Sequence, residues 1–176
     1  MLIDCGVFSQ SDVSGHAKTE RTEMNKKNLI FTHCFIPLFL GGILYISFRS
    51  RTLKMFNWFE YIGIENKILS IRELFFPLKI YLPQWVYYSL PDGLWVYSFT
   101  SAILIVWNNQ FKIAKYWLVI PVFTGAIIEI AQGLKLFRGT FDILDLTFTI
   151  VALLLSIIII NHKFKQNDKQ NDKQIH

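Results

Sequence analysis

An uncharged run of 20 residues, 29–48 (LIFTHCFIPLFLGGILYISF), constrains the fold more than any other feature of the sequence. An α-helix rises about 1.5 Å per residue, so this run can cross a hydrocarbon core of about 30 Å. Lipid offers no partners to backbone amides, and a spanning segment of this length therefore has to be helical. Pro37 and the pair Gly41-Gly42 predict a bend in this helix or a close approach of a second helix.

Three further apolar blocks predict spans at about 90–107, 116–134 and 141–160. Hydrophobic residues make up 52% of the chain, which is typical of an integral membrane protein when they are gathered into blocks. The second, third and fourth blocks are joined by short connections, and this predicts antiparallel neighbours. The expected fold class is an all-α membrane protein with four transmembrane helices in an antiparallel bundle.

The remaining segments differ in composition from the apolar blocks. Residues 1–28 read as a polar disordered leader; the alternative is that the protein begins at Met24 and that residues 1–23 are an upstream mis-start. Residues 49–88 mix charged and aromatic side chains, which predicts an interfacial segment between helices 1 and 2. Residues 161–176 contain a repeated tetrapeptide and predict a disordered tail. The membrane domain is thus expected at 29–160.

Charge and cysteine content limit the partners of the protein. The net charge is +5, but Lys and Arg are spread over loops and tails, so no nucleic-acid partner is predicted. Only Cys5 and Cys34 are present, too few for a cysteine metal cage, and we predict neither a cofactor nor a metal. Membrane lipids are the general partners expected. Placing both termini in the cytoplasm puts ten of the 18 Lys and Arg inside, which favours that orientation of a multi-pass membrane protein.

Four acidic residues lie inside or at the ends of the predicted spans: Asp92, Glu129, Asp142 and Asp145. A carboxylate at the centre of a membrane helix costs about 2.5–3.5 kcal/mol on insertion scales, so such residues are usually paired, water-facing or functional. Antiparallel packing would bring the start of helix 2, the end of helix 3 and the start of helix 4 to one membrane face. The predicted ligand-binding residues on that face are Asp92, Glu129, Gln132, Arg138, Asp142 and Asp145.

Structural interpretations of these residues remain open beside the functional one. Asp92 and Asp142 fall in first helical turns, where an acid stabilises the helix dipole. Glu129 and Arg138 can form an ion pair that locks the hairpin between helices 3 and 4. Glu129 and Asp145 are the candidates for a catalytic role, should the protein be an enzyme. His33 in helix 1 is interpreted as a core histidine.

The pattern Glu129-x-x-Gln132, followed by Arg138-Gly-Thr-Phe-Asp142-x-x-Asp145 and an apolar helix, resembles the VanZ-like family of small bacterial membrane proteins. An acid at the start of the second span, here Asp92, is similar to that family as well. Departures from the family are also visible. The lysine and histidine that commonly follow its acid are absent from Asp92-Gly-Leu-Trp-Val, and Thr149, Ala152 and Ser156 stand where the family has an asparagine and small glycines.

The resemblance implies a membrane protein of the bacterial cell envelope. The family's best-known namesake is associated with resistance to the glycopeptide teicoplanin, which implies a lipid-linked or cell-wall precursor, or a glycopeptide, as a partner. A non-enzymatic protein that binds or modulates an envelope ligand through the polar face is the leading hypothesis. The alternative is an intramembrane enzyme that acts on a lipid-linked or cell-wall precursor with Glu129 or Asp145 as general acid and base.

The four-span topology predicts that reporter fusions alternate in side along the chain. Fusions at Lys27, Lys112 and Lys165 should report from the cytoplasm, and fusions at Ser70 and Gly139 from the opposite side. An external reporter at Lys165 together with an internal one at Ser70 would show that the orientation is reversed. Two successive sites on the same side would show that the helix between them does not span the membrane.

Overall fold

The computed structural model describes residues 26–51, 54–134, 136 and 142–172, and the side chains of several residues near the end of the third long helix and in the chain's last helical turn lie outside this description. Every regular element within these ranges is helical. Each of the four apolar blocks forms one long helix, and the segment between the first two blocks forms shorter ones. The helices are α1 (Lys26–Phe48), α2 (Lys54–Tyr61), α3 (Glu65–Phe75), a 3₁₀ turn (Phe76–Ile80), α4 (Gln84–Tyr88), α5 (Leu90–Val106), α6 (Phe111–Gly133) and α7 (Ile143–Asp172).

Two of these helices, α1 and the Ile143–Asn167 part of α7, are long and apolar enough to cross a membrane. Only 22% of the most apolar stretch of each is buried inside the fold, whereas the core helix of a soluble protein is mostly covered. Large side chains such as Phe39 and Ile158 are 72% and 63% exposed. Water disfavours exposed apolar surface of this extent. The architecture therefore fits an all-α membrane protein.

The first half of α1 contains a π-helical turn, Phe31–Phe35. At its end the Ile36 N–H donates to the Phe31 carbonyl oxygen, five residues earlier instead of the usual four. Pro37 follows directly and opens the regular α-helical part. A proline inside a helix has no N–H and its ring clashes with the carbonyl of the residue four positions earlier, here His33. The wider turn accommodates that ring without ending the helix.

Helix α5 runs antiparallel to α1 and contacts it closely at Gly41. A Cβ atom added at Gly41 would lie 2.7 Å from Trp95 Nε1 and 3.2 Å from the Pro91 carbonyl oxygen, whereas one added at Gly42 would have no neighbour within 4 Å. The predicted close approach at the glycine pair is therefore confirmed for Gly41. Further along the same contact, the Ser98 hydroxyl donates to the Cys34 carbonyl oxygen at 2.7 Å.

Helices α5 and α7 run parallel to each other and share the most extensive helix contact in the described fold. Near their N-terminal ends, Gly93 lies against Phe148, and at the far ends Asn109 is hydrogen-bonded to Asn161. Helix α6 returns the chain between them. The turn from α5 to α6 is tight because Asn108 and Asn109 both adopt positive φ, at 47° and 57°, which asparagine tolerates better than most residues.

The buried polar side chains of the described residues are all hydroxyls, and most of them lie on α5 and α7. They are Ser47, Ser89, Ser98, Thr100, Ser101, Thr149 and Ser156. Small residues at helix contacts let backbones approach closely, which is how helices associate in lipid, where apolar burial gives no advantage. Thr149, Ala152 and Ser156 are all buried and follow one face of α7, so this face is a packing surface.

The segment between α1 and α5, where the sequence predicted an interfacial segment, contains a helical hairpin of α2 and α3. The turn ends α2 with paired hydrogen bonds from the Ile64 N–H to the Phe59 carbonyl (3.0 Å) and from the Gly63 N–H to the Glu60 carbonyl (2.9 Å). Gly63 has a φ of +77°, the left-handed conformation that this type of helix end requires and that glycine adopts without steric cost.

Both chain ends differ from the sequence prediction where they are described. Residues 161–172, expected to belong to a disordered tail, continue α7 without a break to Asp172. The physical reason is that this stretch contains neither glycine nor proline, so the helix that begins in the apolar block meets no residue that ends it. Residues 26–28, expected in the leader, are the first turn of α1. The rest of the predicted leader and the residues after 172 lie outside the described ranges.

The two adjacent glycines of α1 provide a matched test of this packing. Gly41→Ala should lower the free energy of unfolding by about 1–3 kcal/mol, because the added methyl group forces Trp95 or the α5 backbone to move. Gly42→Ala should be neutral or stabilise the helix by up to about 1 kcal/mol, since alanine is the better helix former and its methyl group meets open space. Thermal unfolding of the purified protein in detergent measures both. Equal effects of the two substitutions would contradict the close contact.

Candidate functional site

Polar side chains from three parts of the chain collect at one end of the bundle, which we call the polar end. The end of α1 contributes Ser47 and Arg49, the start of α5 contributes Ser89 and Asp92, and the start of α7 contributes Asp142 and Asp145. Arg49 and Asp92 are joined by an ion pair, and the first turns of α7 reach the same level because Phe148 packs on Gly93 and stacks on Trp85 at 5.4 Å between ring centroids.

Arg49 is the most highly connected side chain of the polar end. Its Nη2 lies 3.5 Å from Asp92 Oδ2 and donates to the Tyr88 carbonyl oxygen at 3.2 Å. The guanidinium carbon is 5.2 Å from the ring centre of Tyr45 and 5.3 Å from that of Tyr88. Aromatic faces stabilise a cation at these distances. The side chain is 26% exposed, and its Nε atom is buried with no hydrogen-bond partner among the described residues.

Asp92 and Asp142 both serve helix starts, as their structural interpretation predicted. Asp92 lies in the first turn of α5, directly after Pro91, where a carboxylate stabilises the exposed N–H groups and the helix dipole. Asp142 precedes α7, and its Oδ1 accepts a hydrogen bond from the Leu144 N–H at 2.9 Å. This is an N-cap bond, and it gives Asp142 a structural role whatever else the residue does.

Asp145 differs from the other two acids. It is the third residue of α7, in the first turn, and is half-buried, and its Oδ1 atom is buried without a hydrogen-bond partner among the described residues. A buried acceptor that makes no hydrogen bond costs about 1–3 kcal/mol, and a charged one costs more. Ser47 and Ser89, at 6% and 1% exposure, also have hydroxyl groups without a partner in the described part of the chain.

Three of the predicted ligand-binding residues cannot be placed at the level of their side chains. The backbone of Glu129 and Gln132 belongs to the last turns of α6, but their side chains lie outside the described residues, as does Arg138 altogether. The proposed pairing of Arg138 with Glu129 or Asp142 therefore stays a prediction. In the described part of the chain, Asp92 and the start of α7 lie at one end of the bundle. The arginine that pairs with Asp92 there is Arg49.

His33 lies away from the polar end, in the π-helical turn of α1, and is half-buried. Its Nδ1 is 2.7 Å from the Tyr97 hydroxyl oxygen of α5, a hydrogen bond that links the two helices inside the bundle. This geometry fits the interpretation of His33 as a core histidine with a satisfied ring nitrogen. No acid, serine or cysteine in the described contacts of His33 completes a nucleophile and base pair.

We searched the described side chains for groups that could bind a metal ion. Among the side chains that the structure describes, no three His, Cys, Asp or Glu residues come close enough to hold a metal ion. The described side chains of the polar end offer hydrogen bonds and charge: carboxylate acceptors at Asp92 and Asp145, hydroxyl groups at Ser47 and Ser89, and a guanidinium donor at Arg49.

Sequence reasoning did not identify Arg49, Ser47 or Ser89 as members of this site. The sequence pattern instead predicts Arg138 as the arginine beside the acids. A signal was present, because Arg49 is the first charge after the 20-residue uncharged run and Asp92 opens the next span on the same face. A cation and an acid that bracket one helical hairpin at the membrane boundary are natural partners.

Comparisons with protein-family models, with curated proteins and with solved structures found no match to this chain. The resemblance to the VanZ-like family is therefore based on the quoted residues alone, and function has to be argued from the geometry of the polar end.

Two arginines that follow α1 provide a matched test of the polar end. Arg49→Gln should destabilise the protein by about 2 kcal/mol or more, because a half-buried cation loses a charged hydrogen bond and two aromatic contacts. Arg51 pairs with Glu65 at 3.0 Å, but its side chain is 58% exposed. Arg51→Gln should therefore cost at most about 1 kcal/mol, as for other surface pairs. Thermal unfolding in detergent measures both, and a larger loss for Arg51→Gln would contradict the assignment.

Proposed function

We propose that this chain is a four-span membrane protein of the bacterial cell envelope that binds an envelope ligand at the polar end. The ligand is a lipid-linked or cell-wall precursor, or a glycopeptide that resembles one in its hydrogen-bonding groups. The protein acts by binding or modulating this ligand, without catalysing a reaction, and the VanZ-like resemblance of the α6–α7 region agrees with such a role.

Helix lengths support four spans. Beside the two helices that are long and apolar enough to cross a membrane, α6 has 23 residues and α5 has 17. At 1.5 Å per residue these correspond to about 35 Å and about 26 Å, and α5 is preceded directly by α4, which extends the helical path. Four spans place both termini on one side, and the short basic flanks favour the cytoplasm. The segment 49–89 then lies on the opposite face as an interfacial layer.

The observation that carries the binding proposal is the buried carboxylate oxygen of Asp145, which has no hydrogen-bond partner among the described residues. Proteins rarely leave such an acceptor without a hydrogen bond, and the exceptions are usually functional. The Ser47 and Ser89 hydroxyls and the Arg49 Nε atom, at the same end, also lack partners among the described residues. A ligand that supplies hydrogen bonds to these groups is stabilised in the site by the free energy of those bonds.

The chemistry of these groups indicates what kind of ligand they suit. The Asp145 carboxylate accepts hydrogen bonds, the Arg49 Nε–H donates one, and each serine hydroxyl can do either. Sugar hydroxyls and peptide amides offer the same mixture of donors and acceptors. Cell-wall precursors and glycopeptides carry both, and a precursor linked to a lipid would approach from within the membrane, toward the interface where the polar end lies.

The rival proposal is an intramembrane enzyme with Asp145 or Glu129 as general acid and base. A positioned carboxylate can give and take a proton in such a reaction. The described part of the chain offers Asp145 no nucleophile or base partner at hydrogen-bond distance, so we favour binding. Turnover of lipid-linked precursors by the purified protein, abolished by Asp145→Asn or Glu129→Gln, would favour the enzyme.

The binding proposal predicts that Asp145 and Asp142 behave differently in a functional assay. A deletion strain should become more sensitive to at least one envelope-active compound, with teicoplanin among those tested, and the wild-type gene should restore growth. Asp145→Asn should fail to restore it at normal protein abundance, because its charge is needed for the ligand. Asp142→Asn is the control and should restore growth fully, since asparagine caps a helix as well as aspartate does.

Full complementation by Asp145→Asn would contradict the binding proposal. A loss of protein abundance in Asp145→Asn that matches its loss of growth would assign the residue a structural role instead. If neither Asp142→Asn nor Asp145→Asn restores growth at normal protein abundance, Asp142 belongs to the binding site as well.

A further inference from the structure

The hairpin of α2 and α3, which we call the cap, makes its described contacts with the bundle through one side. Phe56 of α2 and Ile68 of α3 are both 8% exposed, and Arg72 packs on the Phe56 ring at 5.0 Å from its centre. Arg72 also donates to the Ile46 carbonyl oxygen near the end of α1. Its burial, with a contribution from the nearby Arg51 charge, lowers the pKa of Arg72 below its ordinary value. These contacts define an inner face that is already occupied.

The opposite face of α2 is apolar and open. Trp58, Tyr61 and Ile62 are 65%, 94% and 67% exposed, and their spacing of three and four residues places them on one side of the helix. Lys54 lies one turn before Trp58 on that side and is also exposed. Asn57 and Glu60, which are exposed too, occupy a different side.

Helix α3 repeats this arrangement with two distinct exposed stripes. Ile71 and Leu74, at 37% and 74% exposure, follow Lys67 along one stripe. Asn66, Ser70 and Glu73 form the other, which is entirely polar. Because the second stripe is suited to water, the first is not simply the solvent side of the helix. Each cap helix thus presents an apolar stripe with a lysine beside it, in addition to its buried side.

The ends of the cap are tied to the membrane boundary. The segment begins just after Phe48, where α1 ends, and returns to Leu90, where α5 begins, and Arg49 and Asp92 join these two points. The cap therefore cannot move far from the plane in which both helices leave the apolar region. Residues 49–89 contain six Lys or Arg and three Glu, so the layer is positively charged.

We propose that the cap binds the bilayer surface through the stripes Trp58–Tyr61–Ile62 and Ile71–Leu74, and that the headgroups it contacts are those of anionic phospholipids. Aromatic rings occupy the boundary between headgroups and acyl chains, and lysine stems extend along apolar surface while their ammonium groups reach phosphates. Anionic lipids attract such basic amphipathic segments. The inference relies on the membrane placement proposed above but not on the ligand at the polar end.

Nitroxide labels in lipid nanodiscs test this proposal by their collisions with oxygen, which concentrates in lipid, and with a nickel chelate, which stays in water. Single cysteines at Leu74→Cys and Ser70→Cys compare the two stripes of α3 in a background with Cys5 and Cys34 replaced. Phe39→Cys, on the exposed side of α1, reports the membrane interior. Nanodiscs of phosphatidylcholine with phosphatidylglycerol are compared with nanodiscs of phosphatidylcholine alone.

In anionic nanodiscs the Leu74 label should collide mainly with oxygen and the Ser70 label mainly with the nickel chelate. The preference of the Leu74 label for oxygen should be lost in neutral nanodiscs, and lost equally in the double variant Lys54→Gln, Lys67→Gln. The control Lys163→Gln, Lys165→Gln removes the same charge from the end of α7 and should leave that preference unchanged.

Equal nickel accessibility of the Leu74 and Ser70 labels, with the Phe39 label in lipid, would overturn the inference but not the membrane placement. The apolar stripes would then be assigned to contact with a protein. A Leu74 label that stays in lipid regardless of headgroup charge would overturn the anionic specificity. A Phe39 label accessible to nickel would overturn the membrane placement itself.

Discussion

The contact of α1 with α5 at Gly41 sets the position of everything at the polar end. Trp95 occupies the space that a side chain at position 41 would need, so the two backbones approach closely and their relative register is fixed. From that point, His33 meets Tyr97 toward one end of the helices, and Arg49 meets Asp92 toward the other. A shift of one helical turn, about 5.4 Å, would separate both pairs.

The second organising feature is the division of side chains between the inside and the outside of the bundle. The described interior of α5 and α7 combines hydroxyls and small residues with a few buried aliphatic side chains such as Leu104, whereas Phe39 and Ile158 point outward. In water this arrangement would expose apolar surface and bury polar atoms, both at a cost. In lipid the outward apolar side chains meet acyl chains, and the small buried residues let the helices pack closely.

Local chemistry made much of this fold predictable. Apolar blocks of about spanning length predicted the four long helices, the position of Asp142 predicted its role at a helix start, and Gly41 predicted a close helix contact. The π-helical turn before Pro37, the helical continuation through residues 161–172 and the choice of Arg49 as the partner of Asp92 were not predicted. The turn before Pro37 depends on how the backbone makes room for the proline ring. The continuation of α7 depends on how far a helix extends when no glycine or proline ends it. The pairing of Arg49 with Asp92 depends on the register between α1 and α5.

The candidate site was only partly predictable for the same reason. Sequence alone indicated which acids were costly in a membrane, and topology brought Asp92 and Asp145 to one end. It could not show that Asp142 is used by its own helix while one oxygen of Asp145 is not used by any described residue. That distinction depends on hydrogen-bond geometry, which residue spacing does not determine.

The central claim, that the starts of α5 and α7 lie together at one face of the membrane, is tested most directly by cysteine cross-linking in native membranes. Trp85→Cys paired with Phe148→Cys should form a cross-link with a short bifunctional reagent, because these rings stack at 5.4 Å. Trp85→Cys paired with Leu155→Cys should not, since position 155 lies about 10 Å further along α7. A cross-link to position 155 instead of 148, in protein of normal abundance, would contradict the arrangement of the polar end.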